Sequence, residues 1–210
     1  MIGLVCPDTL NSGSLIDYSD IGEVRVKVVN AESAVILIVI PQNRFCDQQL
    51  LDLKTVFEEV AIKTIVLSKS GKEAVGEMKT RWTPDGILVD WDKQYLQNKK
   101  YDAVVVVGGK GAKNSIWNDS ILPQILTDHY RAGKVVGALG LSVVSLARAG
   151  LLSGQEVSAP DHAGCMQEME EAGAFVVNEP LTHSEQIVTA GDDSSGIIFG
   201  KKILELLGFS

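Results

Sequence analysis

The chain has 210 residues, of which 45% are hydrophobic and 6% aromatic, and its formal net charge at pH 7 is −8. That length suits one domain with a sizeable aliphatic core. The acidic balance argues against nucleic-acid and membrane partners, because both bind a basic face. No apolar run approaches the roughly 18 residues of a membrane span, and the first residues lack the pattern of a secretory signal.

The three cysteines, Cys6, Cys46 and Cys165, are too widely spaced for a disulfide framework or a CxxC metal pair. They indicate a reducing compartment, so the expected location is cytoplasmic. No group of His, Cys, Asp and Glu has the spacing of metal ligands, and neither a metal nor another cofactor is predicted.

The first predicted elements separate an N-terminal arm from a single domain. Residues 1–22 are polar and turn-rich, and residues 23–28 alternate as a half-exposed edge strand does. We therefore predict an N-terminal arm with an edge strand over residues 1–33 and a single domain over residues 34–210. The domain opens with a buried strand over 34–40, a helix over 46–60 and a strand over 64–68, which form a β-α-β unit.

The later elements continue this alternation. Residues 72–92 are expected to form a hairpin or irregular structure, residues 103–107 a buried strand, and residues 121–132 a helix capped by Ser120. Strands are predicted at 135–139, 156–158, 175–177 and 186–189. Asp161 is expected to cap a helix over 162–172, and Ser194 or Ser195 to begin a final helix that ends at 207. Such alternation predicts a parallel sheet covered on both faces, with a ligand crevice where the loops at 41–46, 108–111 and 140–142 meet.

The stretch from Lys134 to Leu152 is the part of the sequence on which the functional interpretation depends most. Its apolar strand turns sharply at Gly140 into a helical pattern that Gly150 can end. A strand that turns directly into a helix is the local geometry of a nucleophile elbow. No cysteine stands at this turn, and Ser142 lies in Gly-Leu-Ser-Val-Val, which does not match the Gly-x-Ser-x-Gly serine elbow.

Several separated motifs resemble the ThiJ/PfpI family (also written DJ-1/PfpI), within the class I glutamine-amidotransferase-like superfamily. The likeness covers residues 34–208. The motifs are Tyr101-Asp102-Ala103, Gly108-Gly109-Lys110-Gly111, Gly133-Lys134-Val135-Val136, Leu146 to Gly154, Ala172-Gly173-Ala174, Glu179-Pro180 and Ile187 to Gly191. This resemblance implies a flavodoxin-like α/β fold, a three-layer α/β/α sandwich with a mainly parallel central sheet.

The resemblance also implies that the family's cysteine chemistry is missing. The family elbow reads roughly Ala-Ile-Cys-His-Gly, whereas this chain has Gly140 at the Cys position, Leu141 at the His position and Ser142 next. The family's helical Glu aligns best with Gln49, which cannot share a proton with a thiol. Gly140 can adopt positive φ at little steric cost, so it would relieve the strain of the elbow.

Other candidate residues each have a functional and a structural interpretation. Gly108, Gly109 and Gly111, with Leu141 nearby, could bind an anion through backbone amides, or could only form a tight turn. Cys46 lies near a helix N-terminus, which lowers a thiol pKa, so it could be a relocated nucleophile or a small packing residue.

The remaining polar candidates favour structural roles. His162 could be a catalytic or pocket-lining residue, although a helix cap at Asp161 followed by a surface histidine explains it as well. His129 and His183 are expected at the surface, and Cys165 and Met166 on a packed helix face. Asp192 and Asp193 are interpreted as a charge pair at a helix N-terminus.

Two functions follow. The first is a non-catalytic pseudoenzyme of the family, a binding or scaffold protein that takes a small-molecule ligand. The resemblance implies that it is a homodimer. The alternative is a family-type hydrolase or lyase (intracellular peptidase, amidase, glyoxalase or deglycase) that uses a relocated nucleophile such as Cys46.

Overall fold

The computed structural model describes residues 34–93 and 100–209, and the predicted N-terminal arm and edge strand lie outside the described residues. The strands are β1 (Val35–Val39), β2 (Asn43–Phe45), β3 (Lys63–Ser68), β4 (Ala74–Gly76), β5 (Arg81–Trp82), β6 (Gly86–Ile87), β7 (Ala103–Val106), β8 (Val135–Leu139), β9 (Glu156–Val157), β10 (Phe175–Val176), β11 (Thr182–Ser184) and β12 (Ile187–Ala190). The helices are α1 (Asp47–Glu59), α2 (Ala112–Ser115), α3 (Leu122–Arg131), α4 (Val143–Arg148), α5 (Ala163–Glu171) and α6 (Gly196–Leu207).

A central sheet has the strand order β11-β12-β8-β7-β1-β3-β6. All its neighbouring strands are parallel except β11, which pairs antiparallel with β12. The inner strands β1, β7 and β8 are buried along their whole length, as continuous apolar runs in a doubly covered sheet should be. Two small sheets, β2-β4-β5 and β9-β10, lie outside it.

Helices cover both faces of the central sheet. On one face α1 and α6 pack through a core that includes Phe57 and Phe199, while α3, α4 and α5 cover the other face through a core that includes Leu126 and Met169. The predicted three-layer α/β/α sandwich is therefore confirmed. None of the helices in residues 34–93 and 100–209 is long and apolar enough to cross a bilayer.

Two predicted helix caps are wrong. The carboxylate of Asp119, not Ser120, accepts hydrogen bonds from the N–H groups of Ile121 and Leu122 at the start of α3. An ionised carboxylate can accept both bonds and is the stronger acceptor. At α5 the cap is His162, whose Nδ1 accepts from the Cys165 N–H at 3.4 Å. The predicted cap, Asp161, precedes it.

Sequence reasoning also misplaced two side chains on helices. His129 is fully buried on α3, where its Nδ1–H donates to the Ile125 carbonyl at 2.7 Å and its Nε2 accepts from the Tyr101 N–H at 3.2 Å. It occupies the same helical stripe as Leu122 and Ile125, so its core position follows from helical periodicity. His183 is exposed as predicted. Cys165 is buried as expected, but the neighbouring Met166 is exposed.

Candidate ligand-binding cleft

An open cleft of about 930 Å³ lies at the carboxyl ends of the central strands. It is lined by the loops that follow β7, β8 and β12, by the segments after β9 and β10, and by Glu77 from the turn between β4 and β5. The three predicted loops meet at this edge of the sheet. The Cys46 N–H donates to the Gly108 carbonyl, and the Gly111 N–H to the Arg44 carbonyl.

Gly140 forms the floor of the cleft, directly after β8. Its φ is +51°, the left-handed backbone that the sequence predicted for a glycine at this turn. A Cβ at this position would lie 3.4 Å from Gln49 Nε2 and 3.7 Å from Asp193 Oδ1. The turn therefore has the geometry of an elbow that would present a side chain to these two polar groups. The residue at this position is a glycine, so no side chain is presented.

Gln49 connects three elements beneath Gly140. This fully buried amide accepts the Gly108 N–H through Oε1 at 2.8 Å. Its Nε2 group donates to the Asp192 carbonyl and to Asp193 Oδ1, both at 3.4 Å. Because a backbone N–H can only donate, the amide orientation is fixed, and the Nε2 group must face Asp193.

Replacing Gln49 with glutamate tests this arrangement. Gln49→Glu keeps an acceptor for Gly108 but places a second carboxylate oxygen against Asp193, so the free energy of unfolding at pH 7 should fall by about 1–3 kcal/mol. Protonation of the carboxylate pair relieves the repulsion, so the loss should shrink as the pH falls towards 5. Denaturant unfolding at both pH values, with Gln124→Glu on the exposed face of α3 as control, measures it. An equal loss at both pH values would contradict the arrangement.

The buried Cys46 neighbours Asp193, which lines the cleft. The Asp193 carboxylate lies close enough to the Cys46 thiol to act on its pKa. Burial, assisted by that carboxylate, raises the pKa of Cys46 to about 11, despite the Gln48 and Gln49 amides at the start of α1. The expectation of a lowered thiol pKa is therefore wrong. Although the Asp193 side chain is exposed to the cleft, partial desolvation there and the neighbouring carboxylates of Glu77 and Asp192 raise its pKa.

Asp193 is the functional candidate that sequence reasoning missed. Asp192 does cap the turn before α6, since its carboxylate accepts the Ser194 N–H at 2.7 Å. Asp193 instead turns towards Cys46 and Gln49. Its place directly after the carboxyl end of a parallel strand was the available signal, because such positions face the ligand crevice.

The predicted anion cradle is not formed by all three glycines. The Gly108 N–H is taken by Gln49 and the Gly111 N–H by the Arg44 carbonyl, so the prediction is wrong for these two. Glycine is needed here for close approach, since a Cβ on Gly109 would lie 2.5 Å from the Cys46 nitrogen. Gly109 and Leu141 do line the cleft.

Ser142 is buried, whereas His162 lines the cleft. The buried Ser142 hydroxyl donates to the Val107 carbonyl at 2.7 Å, which removes it as a nucleophile. His162 lines the cleft and is exposed, with the Trp117 ring edge-on at 6.3 Å between centroids. The described residues contain no group of three or more His, Cys, Asp or Glu side chains placed to hold a metal.

The fold and this turn together define a flavodoxin-like α/β protein with an open cleft at the carboxyl edge of its sheet. The chain belongs to the DJ-1/PfpI family, whose sequence profile matches residues 34–206. It is 30% identical over 178 residues to the uncharacterized protein MJ0967 of Methanocaldococcus jannaschii, covering 85% of this chain and 84% of that one.

Two further relatives bear on structure and function. The crystal structure of a ThiJ/PfpI domain protein from Brachyspira murdochii superposes with a TM-score of 0.75 at 25% identity, covering 83% of this chain and 96% of the other. A Schizosaccharomyces pombe protein named glutathione-independent glyoxalase DJ-1 is 23% identical over 108 residues, which is 51% of this chain and 55% of that one.

Proposed function

We propose that this DJ-1/PfpI-family chain is a non-catalytic binding protein that takes a small-molecule ligand in the cleft above Gly140. The proposal depends on two residues at the elbow, Gly140 and Gln49. Glycine stands where the family resemblance calls for the nucleophilic cysteine, and beneath it lies the amide of Gln49 where the resemblance calls for a carboxyl. An amide cannot give or take the proton that the thiol chemistry needs.

The other candidate nucleophiles support this proposal. With a pKa of about 11, Cys46 has roughly one part in ten thousand as thiolate at pH 7. The Ser142 hydroxyl is buried and donates to a backbone carbonyl. The cleft nevertheless stays open, because Leu141 packs partly against the core beside Trp117 and does not fill it.

We further propose that the protein is a cytoplasmic homodimer, as the family resemblance implies. Light scattering on the eluting peak of a sizing column measures the mass directly. A mass of one 22.6 kDa chain would contradict the dimer.

One observation favours a second function. Asp193, a carboxylate with a raised pKa, neighbours the Cys46 thiol, so it is the group available to take the thiol proton. A hydrolase or lyase of the peptidase, amidase, glyoxalase or deglycase type could use this pair. The name of the S. pombe relative makes methylglyoxal the first substrate to assay.

The rate of alkylation of each cysteine by iodoacetamide, followed by mass spectrometry between pH 6 and 10, separates the two functions. We expect Cys46 to react at pH 7 at least about a hundred times more slowly than free glutathione, and at a rate close to that of Cys165, whose pKa burial also raises to about 11. Fast labelling of Cys46, together with methylglyoxal turnover that disappears in Cys46→Ser, would establish the enzyme instead.

A further inference from the structure

We infer that the cleft above Gly140 takes a small aliphatic cation, a primary amine or guanidine whose charged group lies against the Asp193 carboxylate. This inference rests on the proposed binding function and names the ligand class of the same site.

The cavity provides room at the required place. No heavy atom outside Gly140 and its two chain neighbours lies closer than 3.4 Å to the position that a Cβ on Gly140 would take, so the cleft is open above this residue. From there Asp193 Oδ1 lies at 3.7 Å and Gln49 Nε2 at 3.4 Å. The cleft volume of about 930 Å³ is within the range that holds small organic ligands.

The charges around the cavity select the sign of the ligand. One lysine, Lys110, lines the cleft, and its ammonium group is 3.3 Å from a carboxylate oxygen of Glu77. The cleft also carries further carboxylates, at Asp161, Glu179, Asp192 and Asp193. Asp193 has two neutral donor groups beside it, the Gln49 amide and the Cys46 thiol, and Lys110 is the cation that acts on it. A bound ammonium group would supply the charge that these donors lack.

The same cleft is unsuited to an anion and suited to an aliphatic chain. Two of the three glycine amides predicted to hold an anion are already used inside the protein. Carboxylates at the rim repel an anionic ligand at these distances. Leu141, Pro160 and Ile198 provide apolar lining for the methylene groups of an alkylamine.

Calorimetric titration with three molecules that share a five-carbon chain tests the charge. Cadaverine carries two ammonium groups, its diol analogue is neutral, and glutarate carries two carboxylates. At low ionic strength we expect cadaverine to bind at least about tenfold more tightly than the diol, and glutarate to give no heat of binding. The cadaverine affinity should fall as salt is added.

Variants locate the charged group. Asp193→Asn removes the charge, keeps one acceptor oxygen for the Gln49 amide, and should weaken cadaverine binding by about five- to tenfold. Asp92→Asn, an exposed site away from the cleft, removes the same charge and should have no effect. Gly140→Ala should also weaken binding by filling the floor, whereas Gly150→Ala, which shares the left-handed backbone, should not.

The outcomes separate the two proposals. Binding of glutarate or the diol as tight as that of cadaverine would overturn the ligand class but leave the binding function in place. Failure of all three to bind, or equal cadaverine binding by wild type and Asp193→Asn, would also overturn the inference. Turnover of methylglyoxal that depends on Cys46 would instead overturn the non-catalytic function.

Discussion

Replacing Gly140 with cysteine is expected to create a thiol that iodoacetamide alkylates at pH 7 about a hundred times faster than Cys46. The new side chain would line the cleft, and its Cβ would lie 3.4 Å from the Gln49 amide nitrogen, a donor that favours thiolate. Cys46, by contrast, is desolvated and has a pKa of about 11. Even if the cysteine at position 140 has an ordinary thiol pKa of about 8.5, its thiolate fraction at pH 7 exceeds that of Cys46 by the expected ratio.

Two comparisons test the physical cause of this reactivity. Gly150→Cys places a thiol on the same left-handed backbone, with no atom of a residue beyond its chain neighbours within 4 Å of its Cβ, so it reports an unperturbed thiol and the strain of positive φ. Adding Asp193→Asn to Gly140→Cys removes the carboxylate 3.7 Å from the Cβ and should lower the thiol pKa further. Mass spectrometry after timed labelling gives each rate. If Gly140→Cys labels as slowly as Cys46, the floor of the cleft is not an elbow.

The layer architecture was predictable because it depends on patterns that lie along the chain. The runs that form β1, β7 and β8 are uniformly apolar, and only a strand covered on both faces accommodates such a run. The antiparallel strand β11 was missed because its residues, Thr182 to Ser184, are short and polar and carry no alternating pattern. The position of β11 is set by its pairing with β12, and a local sequence pattern carries no information about such pairing.

The site was predictable in outline but not in its charges. The family resemblance implies that Gln49 lies beside Gly140, and a Cβ on Gly140 would lie 3.4 Å from the Gln49 amide nitrogen. Sequence reasoning assigned Cys46 a lowered pKa from the helix N-terminus alone. Burial and the Asp193 carboxylate, contributed by a segment far along the chain, outweigh that effect. Such long-range terms decide pKa values in a cleft and are not visible in sequence spacing.

His129 is expected to make the protein markedly less stable as the pH falls from 6.5 to 4. Burial lowers its pKa to about 4, and the nearby Lys100 and Lys134 act in the same direction, against the Ile125 carbonyl and Asp128. In the fold Nε2 must accept the Tyr101 N–H, so protonation would place two donors face to face. The folded state therefore holds the neutral imidazole, which packs edge-on against Trp91 at 5.1 Å between centroids.

The lowered pKa fixes the sign of the effect. Between pH 6.5 and 4 the unfolded chain binds a proton at this histidine and the folded chain does not, so stability rises with pH across that window. The neutral imidazole of His129 stabilises the fold by about 3 kcal/mol above pH 6.5, where this stabilisation is complete.

Denaturant unfolding of wild type and His129→Gln gives the difference in their free energies of unfolding at each pH, and the effects of the carboxylates that both proteins share cancel in this difference. That difference should shrink by about 3 kcal/mol on acidification. The same comparison with His183→Gln, at an exposed position, is the control, and a flat result for His129→Gln would show that the buried imidazole is not held neutral.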